Sequence, residues 1–143
     1  MLFEFIHTTD TIDWQALAAL YKAADMGEKP VEDLQISFGN SMYKCFAYHA
    51  GELIGVGRGL ADGRDCAYLC DVAVHPTYQG QGVGRQIIGK LLDLSAGHKK
   101  RILYAVPGKE GFYKTMGFSR MQTAMAIFPD QAHAIENGFL SEQ

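Results

Sequence analysis

The sequence predicts an α/β (α+β) fold, a mixed and mostly antiparallel sheet with a central βαβ unit, flanked by helices. Three apolar runs of strand length, at 43–49, 52–60 and 66–74, follow one another with turn residues between them. The third leads through a glycine-dense loop, HPTYQGQGVGRQ (75–86), into a helical pattern and then a further apolar run, RILYAV at 101–106. Strand, crossover helix and strand make a βαβ unit, so 66–74 and 101–106 are expected to lie parallel.

Taken in order, LFEFIH (2–7) alternates loosely as a first strand. From Asp10 the apolar residues Trp14, Leu17, Leu20 and Tyr21 recur at helical spacing. DMGEKPVEDLQ carries Gly27 and Pro30, which predicts a loop and a short helix starting at Pro30. Ala50-Gly51 and Asp62-Gly63 separate the three meander strands, and Asp-Gly tolerates the positive φ of a tight type I′ turn. The run CAYLCDVAV (66–74) is almost continuously apolar, as in a strand covered on both faces. Val83, Ile87, Ile88, Leu91 and Leu92 share one face of a helix ending near Gly97. A last helix, KEGFYKTMGF, and a last strand, SRMQTAMAIF, end at Pro129, and the tail DQAHAIENGFLSEQ gives no clear signal.

Composition narrows the function. At 143 residues the chain fits one domain, 1–143, and 48% apolar with 20% charged residues is ordinary for a globular protein. The net charge of −3 argues against nucleic acid, whose phosphates demand a surplus of Lys and Arg. HKKR at 98–101 reads as a solvated turn. No apolar stretch approaches a membrane span, and MLFEFIHTTD holds an acid in its apolar patch with no basic region before it, so neither membrane nor signal peptide is expected and the cytoplasm is the default. Cys45, Cys66 and Cys70 lack metal-ligand spacing and read as reduced core thiols, with no metal.

The glycine loop carries the chemistry. Gly80, Gly82 and Gly84 alternate just before a helix, whose first N–H groups and positive dipole end make an anion site that missing Cβ atoms leave accessible. A dinucleotide fingerprint is absent, since the sixth position from Gly80 is Arg85 and from Gly82 is Ile87. GRQIIGKL (84–91) ends in leucine where a P-loop needs a hydroxyl. Gln79-Gly80-Gln81-Gly82-Val83-Gly84 matches the [QR]-x-x-G-x-[GA] signature, and with DVAVHP and FYKTMGF (112–118) the chain resembles the GNAT superfamily of N-acetyltransferases. The run DVAVHPTYQGQGVG is similar to the small-amine and glucosamine-6-phosphate branch.

That resemblance implies a GNAT-like sheet with splayed parallel strands and acetyl-CoA as cosubstrate. Its pyrophosphate would rest on the amides of Gln79, Gly80, Gln81, Gly82, Val83, Gly84 and Arg85. The pantetheine arm would pair with the backbone of Val72, Ala73 and Val74, with an N–H near Val72 polarising the acetyl carbonyl. Tyr113 matches the family's tyrosine acid. Asp71, a lone carboxylate among apolar residues, needs a purpose or a partner. It matches an aspartate of the glucosamine-6-phosphate branch, whose backbone carbonyl contacts the acceptor amine. Where the histone-modifying branch has a glutamate this chain has Tyr68, so a water relay is the alternative to a direct base. Alternation puts Tyr68, Cys70 and Val72 opposite Asp71 unless a bulge intervenes. His75, just before Pro76, reads as a loop residue.

The expected reaction is acetyl transfer to the primary amine of a small molecule by direct attack in a ternary complex. Asp25, Glu28, Glu32 and Asp33 would favour a cationic amine, or serve as a solvated face. Tyr43, Phe46 and Tyr48 would line an aryl pocket or belong to the core. Acetylation of a protein or peptide, and a non-catalytic coenzyme A sensor, are the alternatives, and a homodimer is left open.

Overall fold

The computed structural model describes residues 2–142, which form two compact units dividing between Leu103 and Tyr104. In the first, the order is β1 (Glu4–Ile6), α1 (Trp14–Ala23), α2 (Val31–Gly39), β2 (Tyr43–His49), β3 (Glu52–Ala61), β4 (Cys66–Val74), a 3-10 turn (Pro76–Tyr78), α3 (Val83–Leu94) and β5 (Lys100–Ile102). The strands lie in the order β1-β2-β3-β4-β5, antiparallel except for the β4–β5 pair. This is the mixed, mostly antiparallel sheet that the sequence predicts.

Local chemistry explains the boundaries. Asp13 caps α1 by accepting from the Gln15 and Ala16 amides at 3.0 and 3.1 Å. Pro30 stands at the N-cap of α2, with Glu32 and Asp33 in the first turn where the helix dipole favours them. Ala50 and Gly51 both take positive φ, 50° and 80°, as a type I′ turn requires. Asp62-Gly63 does not make the tight turn that its dipeptide suggests. Only Gly63 has positive φ there, and the Asp62 carboxylate accepts from the amides of Arg64, Asp65 and Cys66, which holds a longer loop.

Side chains alternate across the sheet. Phe46, Val56 and Ala73 face one way and pack with Leu17, Leu20 and Tyr21 of α1 and Leu34 and Phe38 of α2. On the other side, Val83, Ile87, Ile88 and Leu91 of α3 are buried, and Gly55 and Gly57 of β3 lie beneath them. An ideal Cβ on Gly57 would stand 2.8 Å from Ile87 Cγ2 and 3.0 Å from Leu91 Cδ1, so the missing side chain lets α3 approach the sheet.

Two expectations for the parallel pair change. In β4 only Ala67, Leu69 and Ala73 are buried, because the strand alternates rather than being sealed on both faces. The strand expected at 101–106 is Lys100–Ile102, and its pairing with β4 stops at Tyr68–Ile102. Leu69 to Val74 therefore have no register partner on β5.

HKKR is not a plain solvated turn either. His98 is buried, its Nε2 accepts from the Gly63 amide at 3.0 Å, and Nδ1 lies 3.1 Å from the Ser95 carbonyl. It joins the β3–β4 loop to the end of α3.

The second unit holds α4 (Glu110–Lys114) and α5 (Gln131–Glu136). Residues 119–128, expected as a strand, have no strand conformation and no place in the sheet. The tail without a clear signal contains α5. Asp130 caps it by accepting from the His133 amide, and it ends in a Schellman motif, with Gly138 N–H donating to Ile135 O and Phe139 N–H to Ala134 O.

Candidate active site

Beyond Val74 the chain makes one short turn and enters the glycine loop. His75 Nδ1 accepts from the Thr77 amide at 3.1 Å, so its ring caps the 3-10 turn. Gly80 and Gly82 have φ of 80° and 81°, and a Cβ on either would project into open space. Gly82 is the N-cap of α3 and supplies no side-chain acceptor to the first turn, leaving the amides of Val83, Gly84 and Arg85 at the positive end of the helix dipole. The Gln79 side chain donates to the Val74 carbonyl at 3.1 Å and that of Gln81 to the Thr77 carbonyl at 3.4 Å, tying loop to strand end. A Cβ on Gly84 would lie 3.7 Å from Val74 Cγ2, ordinary contact. The end of β4 is thus tied to a loop whose main-chain donors at the start of α3 suit an anion.

Shortly before the strand ends, β4 bulges. Val56 pairs with Ala73 and Arg58 with Cys70, so Gly57 alone faces Asp71 and Val72. Asp71 takes φ of 54°, a left-handed conformation costing on the order of 1 kcal/mol that aspartate tolerates better than most residues. The bulge breaks the alternation that would separate Asp71 from its neighbours.

The lone carboxylate has its partner. Arg58 Nε and Nη2 reach Asp71 Oδ2 at 2.9 and 2.8 Å, Arg58 Nη1 donates to Ser41 Oγ at 3.2 Å, and the guanidinium lies over the Phe38 ring. Lys29 Nζ stands 3.9 Å from Asp71 Oδ1 and 5.2 Å from the centroid of the Tyr21 ring. The Tyr21 hydroxyl, fully buried, donates to the Asp71 carbonyl at 2.8 Å. Burial, and then the Asp71 charge, push the Tyr21 phenol well above its ordinary value, so it stays protonated and donates. Burial pushes the Cys70 thiol up to about 11 and Cys45 to about 12.

A family model described as the acetyltransferase (GNAT) family matches residues 9–118, a span that includes α1, the bulge, the glycine loop and α4. The chain belongs to the GNAT acetyltransferase family. An N-acetyltransferase of Prochlorococcus marinus, called ycf52-like and uncharacterized, is 28% identical over 124 residues, covering 82% of this chain and 67% of its own. Serotonin N-acetyltransferase 2 of rice, a chloroplast protein, is 39% identical over 72 residues, 49% of this chain and 36% of that protein. A probable acetyltransferase from Staphylococcus aureus has the same fold, with a TM-score of 0.79 at 22% identity over 90% of this chain and 99% of the other. This GNAT chain is therefore an N-acetyltransferase by family, with the GNAT fold, and family members use acetyl-CoA. Among the described residues no helix is long and apolar enough to cross a membrane.

The GNAT residues expected from sequence fall into two groups. Asp71 to Val74 and Gln79 to Arg85 are brought together in the first unit. Tyr113 stands on α4 of the second, half-buried, with Phe112 and Phe118 edge-on to its ring at 5.1 and 5.9 Å. Burial raises its phenol above the ordinary value. Of the aromatics considered for a pocket, Phe46 is core, stacked on Phe38 at 5.4 Å, and Tyr43 packs edge-on to His98. Of the acids, Glu28 pairs with Lys22 at 3.1 Å, and the charges facing the bulge are cationic.

Sequence reasoning passed over Arg58 and Tyr21. The signal for Arg58 was available: it is the lone basic residue of β3, beside a strand whose lone charge is Asp71. Tyr21 gave none, since a tyrosine at a core position of an amphipathic helix looks like any other.

Proposed function

We propose that this GNAT chain transfers an acetyl group from acetyl-CoA to the primary amine of a small molecule, by direct attack in a ternary complex. The observation that carries the reading is the glycine loop, where two positive-φ glycines with open space at their Cβ positions precede an uncapped helix. A diphosphate suits that surface, because the amides of residues 79–85 supply donors while the absent side chains admit bulky oxygens. Acetyl-CoA supplies the activated acetyl group when bound.

The backbone of Val72 to Val74, without a β5 partner, is open to pairing with an amide-bearing arm as an extra strand would pair. Val72 N–H, at the bulge, is then the donor for the developing oxyanion. Tyr113, a phenol raised by burial above its ordinary value, is the acid for the departing thiolate. Asp71 enters as the bulge residue, its carbonyl accepting from the Tyr21 hydroxyl and its carboxylate held by Arg58. The amine's proton leaves by water. A small arylalkylamine is the first acceptor to try, since a relative matching 49% of the chain is named a serotonin N-acetyltransferase.

The test is a panel of amines, arylalkylamines, polyamines and amino sugars, incubated with acetyl-CoA while free thiol and acetylated product are followed. Turnover with at least one small amine is expected. Turnover confined to peptide lysines or amino termini would replace this reading, and coenzyme A binding without transfer to anything would make the chain a sensor.

A further inference from the structure

We propose that Tyr21 and Arg58 are positioning residues that aim the Val72 N–H, an inference that rests on the function proposed above. The argument is one of peptide geometry. The Asp71 carbonyl and the Val72 N–H belong to one planar peptide group and point in opposite directions. Whatever fixes that carbonyl fixes the N–H.

Tyr21 fixes it, with a hydroxyl 2.8 Å from the Asp71 oxygen. A phenylalanine would fill the same buried volume on α1, so the hydroxyl's contribution is this bond alone. Donation to the carbonyl also polarises the peptide and strengthens its N–H as a donor. Arg58 holds the other end of the same residue, clasping the Asp71 carboxylate from β3 at 2.8 and 2.9 Å while Ser41, which donates onward to the Ser37 carbonyl at 2.7 Å, anchors the guanidinium.

Asp71 needs both. Its φ of 54° is a conformation the chain leaves readily, and neither Asp71 nor Val72 has a register partner on β3 to hold it. With backbone pinned from one element and side chain from another, the peptide plane has one orientation. Lys29, 3.9 Å away, touches the same carboxylate but reaches it from a loop and gives no second bond.

The experiment compares wild type, Tyr21→Phe and Arg58→Lys. Losing an oxyanion donor outright costs about 100- to 1,000-fold in kcat, so a mis-aimed one should cost roughly tenfold or more, with KM for both substrates within about twofold. Affinity for coenzyme A, measured by calorimetry, should be unchanged, and the Val72 amide proton should shift in the NMR spectrum of Tyr21→Phe while amides of α3 do not.

A kcat within twofold of wild type, or a fall matched by equal loss of coenzyme A affinity, would overturn the assignment. If Tyr21→Phe does not fold, Arg58→Lys carries the same kcat-against-KM test. If the wild type transfers acetyl to no amine, the functional reading fails by itself, and an unmoved Val72 amide in Tyr21→Phe would still refute the clamp.

Discussion

Replacing Gly82 and Gly84 by alanine, one at a time, separates the loop's backbone requirement from its helical one. Gly82 has φ of 81°, so an alanine in its place is strained by about 1–2 kcal/mol in the left-handed region, whatever room its methyl has. Gly84 lies inside α3 with no positive φ, and its Cβ would meet Val74 Cγ2 at 3.7 Å, a normal contact. There alanine gains up to about 1 kcal/mol of helix propensity. For a chain of this size each kcal/mol moves Tm by roughly 3–5 °C. Gly82→Ala should therefore melt about 3–10 °C below wild type and Gly84→Ala slightly above it. In calorimetry with coenzyme A, Gly82→Ala should lose about tenfold or more in affinity, because its methyl projects into the space where the anion is to sit, while Gly84→Ala stays within about threefold. Equal melting temperatures and equal affinities for the two variants would refute the reasoning, since both add the same methyl and differ in the backbone conformation and surroundings that receive it.

Other outcomes are expected from the same geometry. Tyr113→Phe should lower kcat substantially with little change in coenzyme A affinity, read by steady-state kinetics and calorimetry; an unchanged kcat removes the hydroxyl from the reaction. Gly57→Ala should destabilise by about 1–3 kcal/mol in urea denaturation, because its methyl must displace Ile87 and Leu91 across the α3 interface. Thiol titration at pH 7 should find Cys70 and Cys45 unreactive in the folded protein, since burial raises them to about 11 and 12 and leaves almost no thiolate; rapid alkylation of either would contradict this. Asp62, held to about 2 by three backbone N–H donors, should contribute stability above the ordinary value of 3.8 and lose it as pH falls from there through about 2, so Asp62→Ala should flatten that part of the acid-unfolding curve.

What the sequence discloses depends on whether the deciding interaction is local. The meander and α3 were legible because period-2 and period-3.6 patterns, and the paired positive-φ residues Ala50-Gly51, act over a few residues. The glycine loop was legible for the same reason, as its backbone conformation follows from those glycines. The strand expected at 119–128 failed because apolar alternation states only that a segment could pair, and a ladder needs a partner that sequence does not name. Helix α5 was passed over although Asp130 and Gly138 mark its two ends, because no apolar stripe longer than two turns connects them.

The bulge is the instructive case. Alternation alone puts Asp71 and Val72 on opposite faces, and one inserted residue, opposite Gly57, cancels that inference. A lone carboxylate in an apolar strand announces that some partner exists. It does not say whether the partner is a substrate amine or an arginine one strand away. The pairing of Arg58 with Asp71 at 2.8 Å supplies the arginine, and the proposed chemistry uses the peptide beside the carboxylate. If that peptide's N–H is the catalytic donor, the acid conspicuous in the sequence acts through its backbone, and the residue that governs it is a tyrosine 50 positions earlier that no motif would select. A site of this kind is set by where a peptide plane points, which several distant side chains fix together.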